Sequence, residues 1–256
     1  MGIIHVLYIR EINMKEILAV IVAAKEETPE LRQNFESQYP DVDIIIIGNN
    51  QADSLAEKYN IGIEEVIKRQ GDNEGWVVFQ HDDARTLMTV RRMEEALDEV
   101  PKDAVQVGVA GSTKVPPLSP GFWWHGIGTP QFGGSGRVEH VIPEADPHNA
   151  GKRTMTAYGV YPNRVAALDG VWTAVDYKTL TEQNLRYDAN TFDGYHYYDA
   201  DFSAQIRSKG LKLYVCDVVI SHDSGGESMR NASFAIAQNK FVKKWMAKQK
   251  AYNLYE

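Results

Sequence analysis

The sequence has 256 residues, of which 43% are hydrophobic, and a formal net charge of −8. An acidic chain argues against non-specific binding to nucleic acids or membrane surfaces, because both require a basic face. The length and the apolar content are sufficient for one large core, and we expect a single α/β domain with elaborations.

The cysteine content and the apolar segments indicate a cytoplasmic protein. The single cysteine, Cys216, cannot form an intramolecular disulfide and lies in an apolar run. No apolar stretch approaches the roughly 20 residues that span a bilayer, and the N-terminus lacks the features of a signal peptide. The segment before Met14 is loosely attached to the pattern that starts at Lys15, and we interpret it as an extension or as the result of an upstream start.

The first half of the chain alternates between predicted strands and helices. The nearly continuous apolar run 17–23 predicts a strand that is buried on both faces of a parallel sheet. Thr28 and Pro29 predict the N-cap and first position of a helix that reaches about Tyr39. The alternation continues with a strand over 42–47, a short helix over 53–59, a strand from Val77, a helix to Val100 and a strand over 105–109. This order is typical of a mostly parallel sheet in a Rossmann-like, nucleotide-binding fold.

Three residues that can bind a cation, His81, Asp82 and Asp83, directly follow the apolar segment 75–80. Carboxylates just past a strand are what a metal-bound nucleotide diphosphate requires. The Asp83 oxygen is a hard ligand and the His81 nitrogen a borderline one, so the pair suits Mg²⁺ or Mn²⁺, and Mn²⁺ if histidine ligates directly. The alternative is that these residues cap the following helix, whose apolar residues recur at helical spacing from Leu87.

The second half opens with a segment, 116–136, in which ten of 21 residues are Gly or Pro. This composition predicts a long loop. Its aromatic residues favour a role as a lid or as a surface that binds an acceptor substrate over simple anchoring of the loop in the core. The aromatic residues are Phe122, Trp123, Trp124 and Phe132. Further predicted elements are a strand over 165–174, a polar helix over 177–184, a helix over 199–209, a strand over 211–220 and a closing helix that holds Phe241, Val242 and Trp245.

Polar residues cluster at the ends of successive predicted strands. Lys25 and Glu26 follow the first strand, Asn49 the second, His81 to Asp83 the third, and His222 the last. Ligands of open α/β sheets bind outside the carboxyl ends of strands, so these clusters predict one shared pocket. Three other histidines, His125, His140 and His148, lie in polar or Gly/Pro-rich surroundings and are expected to be exposed rather than ligands. For His196, packing under an acceptor site and core burial remain equal alternatives.

Over roughly residues 15–245, the sequence resembles the nucleotide-sugar-dependent glycosyltransferases of the GT-A fold. The resemblance is greatest to the family 2 type. His81-Asp82-Asp83 is similar to that family's Asp-x-Asp motif, with His81 at the first acidic position. The segment 198–202 through Gly210 resembles the Glu-Asp stretch that supplies the catalytic base, with Tyr198 where Glu is usual. His222 resembles a late metal-binding histidine. The absence of a Gln-x-x-Arg-Trp motif argues against a processive synthase.

The resemblance implies one GT-A-like domain over 1–256, with a nucleotide-binding half over 15–112 and an acceptor-side half over 113–256. It implies metal-dependent transfer of a sugar from a nucleotide sugar, UDP being the commonest nucleotide of relatives, to a hydroxyl acceptor. Asp83 and His222 would hold Mn²⁺ or Mg²⁺, and Asp199 would be the base of an inverting transfer or would orient substrate in a retaining one. The implied donor-binding residues are Ala24, Lys25, Glu26, Asn49, His81, Asp82, Trp172 and Lys243.

Alternative interpretations accompany these assignments. Asp199 is also a plausible N-cap of the helix that it opens, Asp201 is interpreted as a cap of the same helix, and a buried strand is the default place for Trp172. A non-catalytic protein that binds nucleotide sugars is the main rival function. A metal phosphohydrolase of the His-Asp type is disfavoured, because its ligand pairs lie on helices, whereas His81 follows a predicted strand.

Overall fold

A computed structural model of the protein describes residues 14–115, 134–141, 151–223 and 231–245. Several predictions fall outside this part of the chain. They concern the extension before Met14, the aromatic residues Phe122, Trp123, Trp124 and Phe132 of the long loop, and the histidines His125 and His148.

The described residues form strands and helices in the following order: β1 (Ile17–Ala23), α1 (Pro29–Gln38), β2 (Asp43–Ile47), α2 (Leu55–Gln70), β3 (Trp76–His81), β4 (Ala84–Thr86), α3 (Val90–Asp98), β5 (Ala104–Gly108), β6 (Ala110–Ser112), β7 (Gly134–Val141), β8 (Arg153–Tyr158), β9 (Asn163–Val165), β10 (Ala167–Leu168), β11 (Trp172–Asp176), α4 (Tyr177–Glu182), α5 (Tyr198–Ser208), β12 (Lys212–Val215), β13 (Ile220–His222) and α6 (Ala232–Trp245).

The larger sheet has seven strands in the order β2-β1-β3-β11-β5-β12-β9. Strands β1, β2 and β3 are mutually parallel, as are β5 and β12. Strand β11 is antiparallel to both β3 and β5, and β9 is antiparallel to β12. Five of the seven strands therefore run in one direction, and the predicted α/β class is confirmed. The antiparallel insertion of β11 was not predicted, because a fully buried strand has the same apolar pattern in either direction.

A second sheet, which the sequence did not predict, runs β10-β6-β7-β13-β4, and β8 pairs with β7. Two predicted strands are divided between the sheets. The segment 211–220 forms β12 in the larger sheet and the start of β13 in the smaller one, while 165–174 contributes to β9, β10 and β11. Strands of two or three residues are too short to show an alternating pattern, so they could not be recognised.

Local capping determines where a helix begins, and close packing determines how near it lies to the sheet. Thr28 caps α1 by accepting a hydrogen bond from the backbone N–H of Leu31 at 3.1 Å, as predicted. Helix α2 runs to Gln70, well beyond the predicted end at Tyr59. Gly62 lets this helix approach β1, since a Cβ atom there would lie 2.2 Å from Cγ2 of Ile21.

The core lies on both faces of the larger sheet. Residues Ala19, Ile21 and Ala23 of β1 belong to one buried cluster, whereas Val20 and Val22 belong to the other. This alternation confirms that β1 is buried on both faces. None of the helices in the described part of the chain combines the length and apolar character needed to cross a membrane.

Candidate active site

The carboxyl ends of β1, β2 and β3 meet at one edge of the larger sheet. Ala23 pairs with both Ile47 and His81, the last residues of the neighbouring strands. Beyond the strands, the N–H of Ala24 donates to the carbonyl of Ile47, and the N–H of Asn49 donates to the carbonyl of Lys25, each at 3.0 Å. This edge opens into a cleft of about 360 Å³ that is lined by Ala23, Ala24, Lys25, Asn49, Leu55, Lys58, His81, Asp82, Asp83, Tyr195 and His196.

A buried lysine, Lys58 of α2, joins the strand ends at the floor of the cleft. Its ammonium group donates to the carbonyl oxygen of Ala24 at 2.6 Å and to Oδ1 of Asn49. Only 1% of the residue is exposed, and burial lowers its pKa while the charges of Asp82 and Asp53 oppose that shift. Asp82 in turn accepts a hydrogen bond from the backbone N–H of Lys25 at 3.2 Å.

His81 and Asp83, which line this cleft, form a cluster of ligand atoms with His222, which lies outside the cleft lining. One ligand atom from each residue lies within 4.8 Å of the others. Oδ1 of Asp83 is 3.3 Å from Nε2 of His222 and 3.9 Å from Nδ1 of His81. His222 reaches this place because β13 pairs with β4, and its Cα partner there is Ala84, the residue after Asp83. The predicted metal ligands Asp83 and His222 thus come together, and His81 joins them.

His81, Asp83 and His222 shift one another's pKa values. Burial and the neighbouring His222 lower the pKa of His81, against the opposing charge of Asp83. Burial is the largest influence on His222 and opposes its charge, but the hydrogen bond with Asp83 and the charges of the nearby carboxylates together outweigh burial and raise the pKa of His222. Burial likewise opposes the charge of Asp83, and the two histidines prevail, so that the pKa of Asp83 is lowered. The charge of Asp83 therefore favours the charged form of both imidazoles, whereas the charge of His222 disfavours that of His81.

The interpretation of His81, Asp82 and Asp83 as helix caps is wrong. Strand β4 follows them, and Thr89 caps α3 by accepting from the backbone N–H of Arg92. His81 is the last residue of β3, and Asp82 and Asp83 form the turn between β3 and β4, where all three residues line the cleft.

Asp199 lies in the first turn of α5 and is partly buried. Its Oδ2 accepts from the N–H of Gly170 at 3.1 Å and its Oδ1 from the N–H of Ala200 at 2.8 Å. Burial and the charge of Asp169 raise the pKa of Asp199 to about 7. The helix begins at Tyr198 with Tyr197 at the N-cap position, so the interpretation of Asp199 as the N-cap is wrong.

Asp201 has a different role from the predicted helix cap. It is fully buried, and its carboxylate accepts from Lys244 at 2.6 Å and from the indole N–H of Trp245 at 2.7 Å. Gln205 donates to the other oxygen at 2.7 Å. Asp201 therefore joins α5 to α6, and the indole and ammonium donors offset the cost of burying its charge.

Three of the predicted donor-binding residues do not line the described cleft. Trp172 is fully buried, in the core cluster on the opposite face from Tyr198, and its indole N–H donates to the Tyr39 hydroxyl at 2.9 Å. The default interpretation of a buried strand tryptophan is thus the one observed. Glu26 is exposed beside Gly48, and Lys243 is exposed on α6, whereas its neighbour Lys244 binds Asp188 and Asp201.

Several residues of the site were not singled out from the sequence. Lys58 occupies the apolar face of α2, between Leu55 and Gly62, and a lysine at such a position was the available signal. Tyr195, another such residue, lines the cleft from the loop before α5 and is 57% exposed. His196, for which packing under an acceptor site and core burial were equal alternatives, lines the cleft beside it and is partly buried. His140, which was expected to be exposed, is partly buried, with its ring centroid 6.1 Å from that of His222.

Comparisons with known proteins place the chain in a family. The sequence matches a family described as "Glycosyltransferase like family" over residues 30–252. The chain belongs to this family, which confirms the resemblance and the enzyme class expected from the sequence. No curated protein matched the chain.

The comparison with solved structures matched the chain to two glycosyltransferases, each with a TM-score below 0.5. One is the mannosyltransferase PcManGT from Pyrobaculum calidifontis in complex with GDP-Man and Mn²⁺, with 10% identity, a TM-score of 0.46, and coverage of 94% of this chain and 73% of that chain. The other is mouse xyloside xylosyltransferase 1 in its apo form, with 10% identity, a TM-score of 0.33, and coverage of 94% and 70%.

Proposed function

We propose that this member of the glycosyltransferase-like family transfers a sugar from a UDP-sugar to a hydroxyl acceptor, with Mn²⁺ or Mg²⁺ as cofactor. The observation that carries the proposal is the cluster of His81, Asp83 and His222 beside a cleft formed by strand ends. Such a cleft is the usual ligand-binding place of an open α/β sheet. UDP is proposed because it is the commonest nucleotide of the glycosyltransferases that the sequence resembles.

The chain's own residues fit a divalent cation of this kind. Ligands about 2.1 Å from one ion lie at most about 4.2 Å from each other. The distances from Oδ1 of Asp83 to His222 and His81, 3.3 Å and 3.9 Å, satisfy this limit. One carboxylate and two imidazoles match the preference of Mn²⁺ more closely than that of Mg²⁺. When bound, the cation would neutralise the negative charge that grows on the departing nucleoside diphosphate.

The remaining residues of the cleft would hold the donor. The backbone around Ala24, Lys25 and Asn49 is fixed by hydrogen bonds between the strand ends and by Lys58. Asp82 lies beside this backbone through its contact with Lys25. The exposed ring of Tyr195 offers a flat apolar surface on which a base or a sugar can stack. This preorganised wall supports binding of the nucleotide close to the cation.

Asp199 would accept the proton of the acceptor hydroxyl during an inverting attack. A general base works best when its pKa lies near the working pH, and that of Asp199 is raised to about 7. The two backbone N–H donors, from Gly170 and Ala200, hold its carboxylate in one orientation. Its position next to Tyr198, which contacts His81, supports a place near the reacting centre.

The test is a thermal-shift and calorimetric titration with UDP, GDP and CDP, each in MnCl₂, in MgCl₂ and in excess chelator. We expect UDP to raise the melting temperature only when a cation is present, because a ligand stabilises the state that binds it. Equal stabilisation by UDP in chelator would rule out the metal bridge. Asp72→Ala, in an exposed residue that precedes β3, is the matched control for variants of Asp83.

A second measurement separates transfer from binding alone. Release of UDP from UDP-glucose, UDP-galactose and UDP-N-acetylglucosamine, with water as a slow acceptor, reports turnover without a known acceptor. Metal-dependent binding with no turnover of any of these donors, or of GDP-mannose, would support the non-catalytic alternative.

A further inference from the structure

A single hydrogen bond connects the candidate metal cluster to the helix that carries Asp199. The hydroxyl oxygen of Tyr198 lies 2.5 Å from Nε2 of His81. The other ring nitrogen of His81, Nδ1, faces Oδ1 of Asp83 at 3.9 Å. The imidazole therefore has one nitrogen on Tyr198 and the other on the cluster of ligand atoms.

The tautomer of His81 decides which of its two ring nitrogens can bind a cation. A neutral histidine carries one proton, and only the nitrogen without it can bind a cation. We propose that Tyr198 is a positioning residue: its oxygen accepts the Nε2–H of His81 and so keeps the lone pair on Nδ1, directed toward the cation. The inference rests on the proposed metal-dependent function and adds a residue to it. Partners of this kind, which hold the second nitrogen of a ligating histidine, fix its ring and its tautomer.

The surroundings of Tyr198 hold its hydroxyl in place. The residue is 4% exposed, and its ring centroid lies 5.8 Å from that of Tyr59 and 6.0 Å from that of Tyr187. Gly170 leaves the space that the hydroxyl occupies, since a Cβ atom there would lie 2.2 Å from it.

The backbone before Tyr198 is also held in an uncommon conformation. Tyr197, the N-cap residue of α5, has φ of 66°, in the left-handed region that non-glycine residues seldom adopt. Its hydroxyl donates to Oε1 of Gln238 at 2.9 Å, which attaches this turn to α6. Tyr198 and Asp199 follow directly, so one rigid turn holds both the partner of the metal ligand and the proposed base.

The first experiment compares Mn²⁺ affinity, without nucleotide, in wild type and Tyr198→Phe by calorimetry and by electron paramagnetic resonance. The substitution removes only the oxygen, and we expect a 10- to 100-fold loss of affinity, the usual effect of removing such a partner. Tyr187→Phe is the matched control, because its ring packs against the same aromatic residues while Tyr198 keeps its hydrogen bond to His81. We expect wild-type Mn²⁺ affinity in that variant.

A double-mutant cycle with His81→Ala tests whether Tyr198 acts through His81. In the His81→Ala background, Tyr198→Phe should cause no further loss of Mn²⁺ affinity. A full loss in that background, or unchanged affinity of Tyr198→Phe alone, would overturn the inference. Absence of Mn²⁺ binding by the wild type is a different outcome, because it would refute the proposed metal dependence itself and the inference with it.

Nitrogen-15 NMR of the wild-type protein at pH 7.5, without metal, gives a reading that does not depend on the folding of Tyr198→Phe. The ring signals of His81, assigned with His81→Gln, should show the proton on Nε2. A proton on Nδ1 would refute the inference even if Tyr198→Phe failed to fold.

Discussion

Substituting Asp199 by Asn should change the pH dependence of stability in a direction that the structure determines. Burial and Asp169 raise the pKa of Asp199 from its usual 3.8 to about 7 in the folded protein. Between these two values the native state holds a proton that the unfolded state has released. The free energy of unfolding of the wild type therefore falls as the pH rises from about 4 to about 7. Asparagine does not titrate, so the variant lacks this contribution.

The magnitude follows from the size of the shift. Each pKa unit corresponds to about 1.4 kcal/mol, so a shift of about three units corresponds to at most about 4 kcal/mol. Asp199 is partly exposed, and solvent screening reduces this value to roughly 2 kcal/mol. The amide also offers one acceptor oxygen to the two N–H groups of Gly170 and Ala200, a loss of about 1–3 kcal/mol that does not vary with pH.

The assay is urea unfolding of wild type and Asp199→Asn at pH values from 5 to 9. The free energy of unfolding of the variant minus that of the wild type should rise by roughly 1–2 kcal/mol between pH 5 and 8 and then level off. Asp72→Asn, which makes the same change in an exposed side chain, is the control variant measured in parallel. A difference that stays constant, or falls with pH, would refute the raised pKa. Transfer activity should fall by about 10²- to 10⁴-fold at unchanged UDP affinity, and wild-type activity should increase as pH rises through about 7.

Three further substitutions test the cation site and the floor of the cleft. Asp83→Ala should abolish Mn²⁺-dependent UDP binding while leaving cooperative unfolding intact, because 44% of the Asp83 side chain is exposed. His222→Ala should weaken the binding less. Loss of cooperative unfolding in Asp83→Ala would instead indicate that Asp83 has a structural role. Lys58→Met should lower the free energy of unfolding by about 1–3 kcal/mol and weaken UDP binding, because it removes the ammonium group that donates to Ala24 and Asn49. Wild-type stability and UDP affinity in this variant would contradict the role of Lys58 in joining the strand ends.

Much of the site could be predicted from the sequence because strand ends are local features. An apolar run that ends in polar residues marks both a buried strand and its carboxyl end, and the carboxyl ends of parallel strands meet at one edge. This reasoning brought Lys25, Asn49 and the segment 81–83 to one cleft, where the structure places them. The cap of α1 by Thr28 was equally local, since donor and acceptor lie three residues apart.

Other assignments failed because the same local pattern permits two structures. Trp172 follows Asp169-Gly170, and the sequence could not decide whether its ring would face the cleft or the core. The pairing of β11 between β3 and β5 decided it, because its alternating side chains fill both core clusters. Asp199 was a plausible helix cap until the left-handed conformation of Tyr197 placed the helix start one residue earlier.

The sequence by itself determined which residue types lie at the strand ends, since hydrophobic periodicity and capping act within a few residues. Only the tertiary structure decided which of those side chains meet. His222 reaches Asp83 through the pairing of β13 with β4, and Tyr198 reaches His81 from a position 117 residues away. Periodicity records burial along one element, whereas such contacts depend on the order and direction of strands, which the packing of the whole core selects.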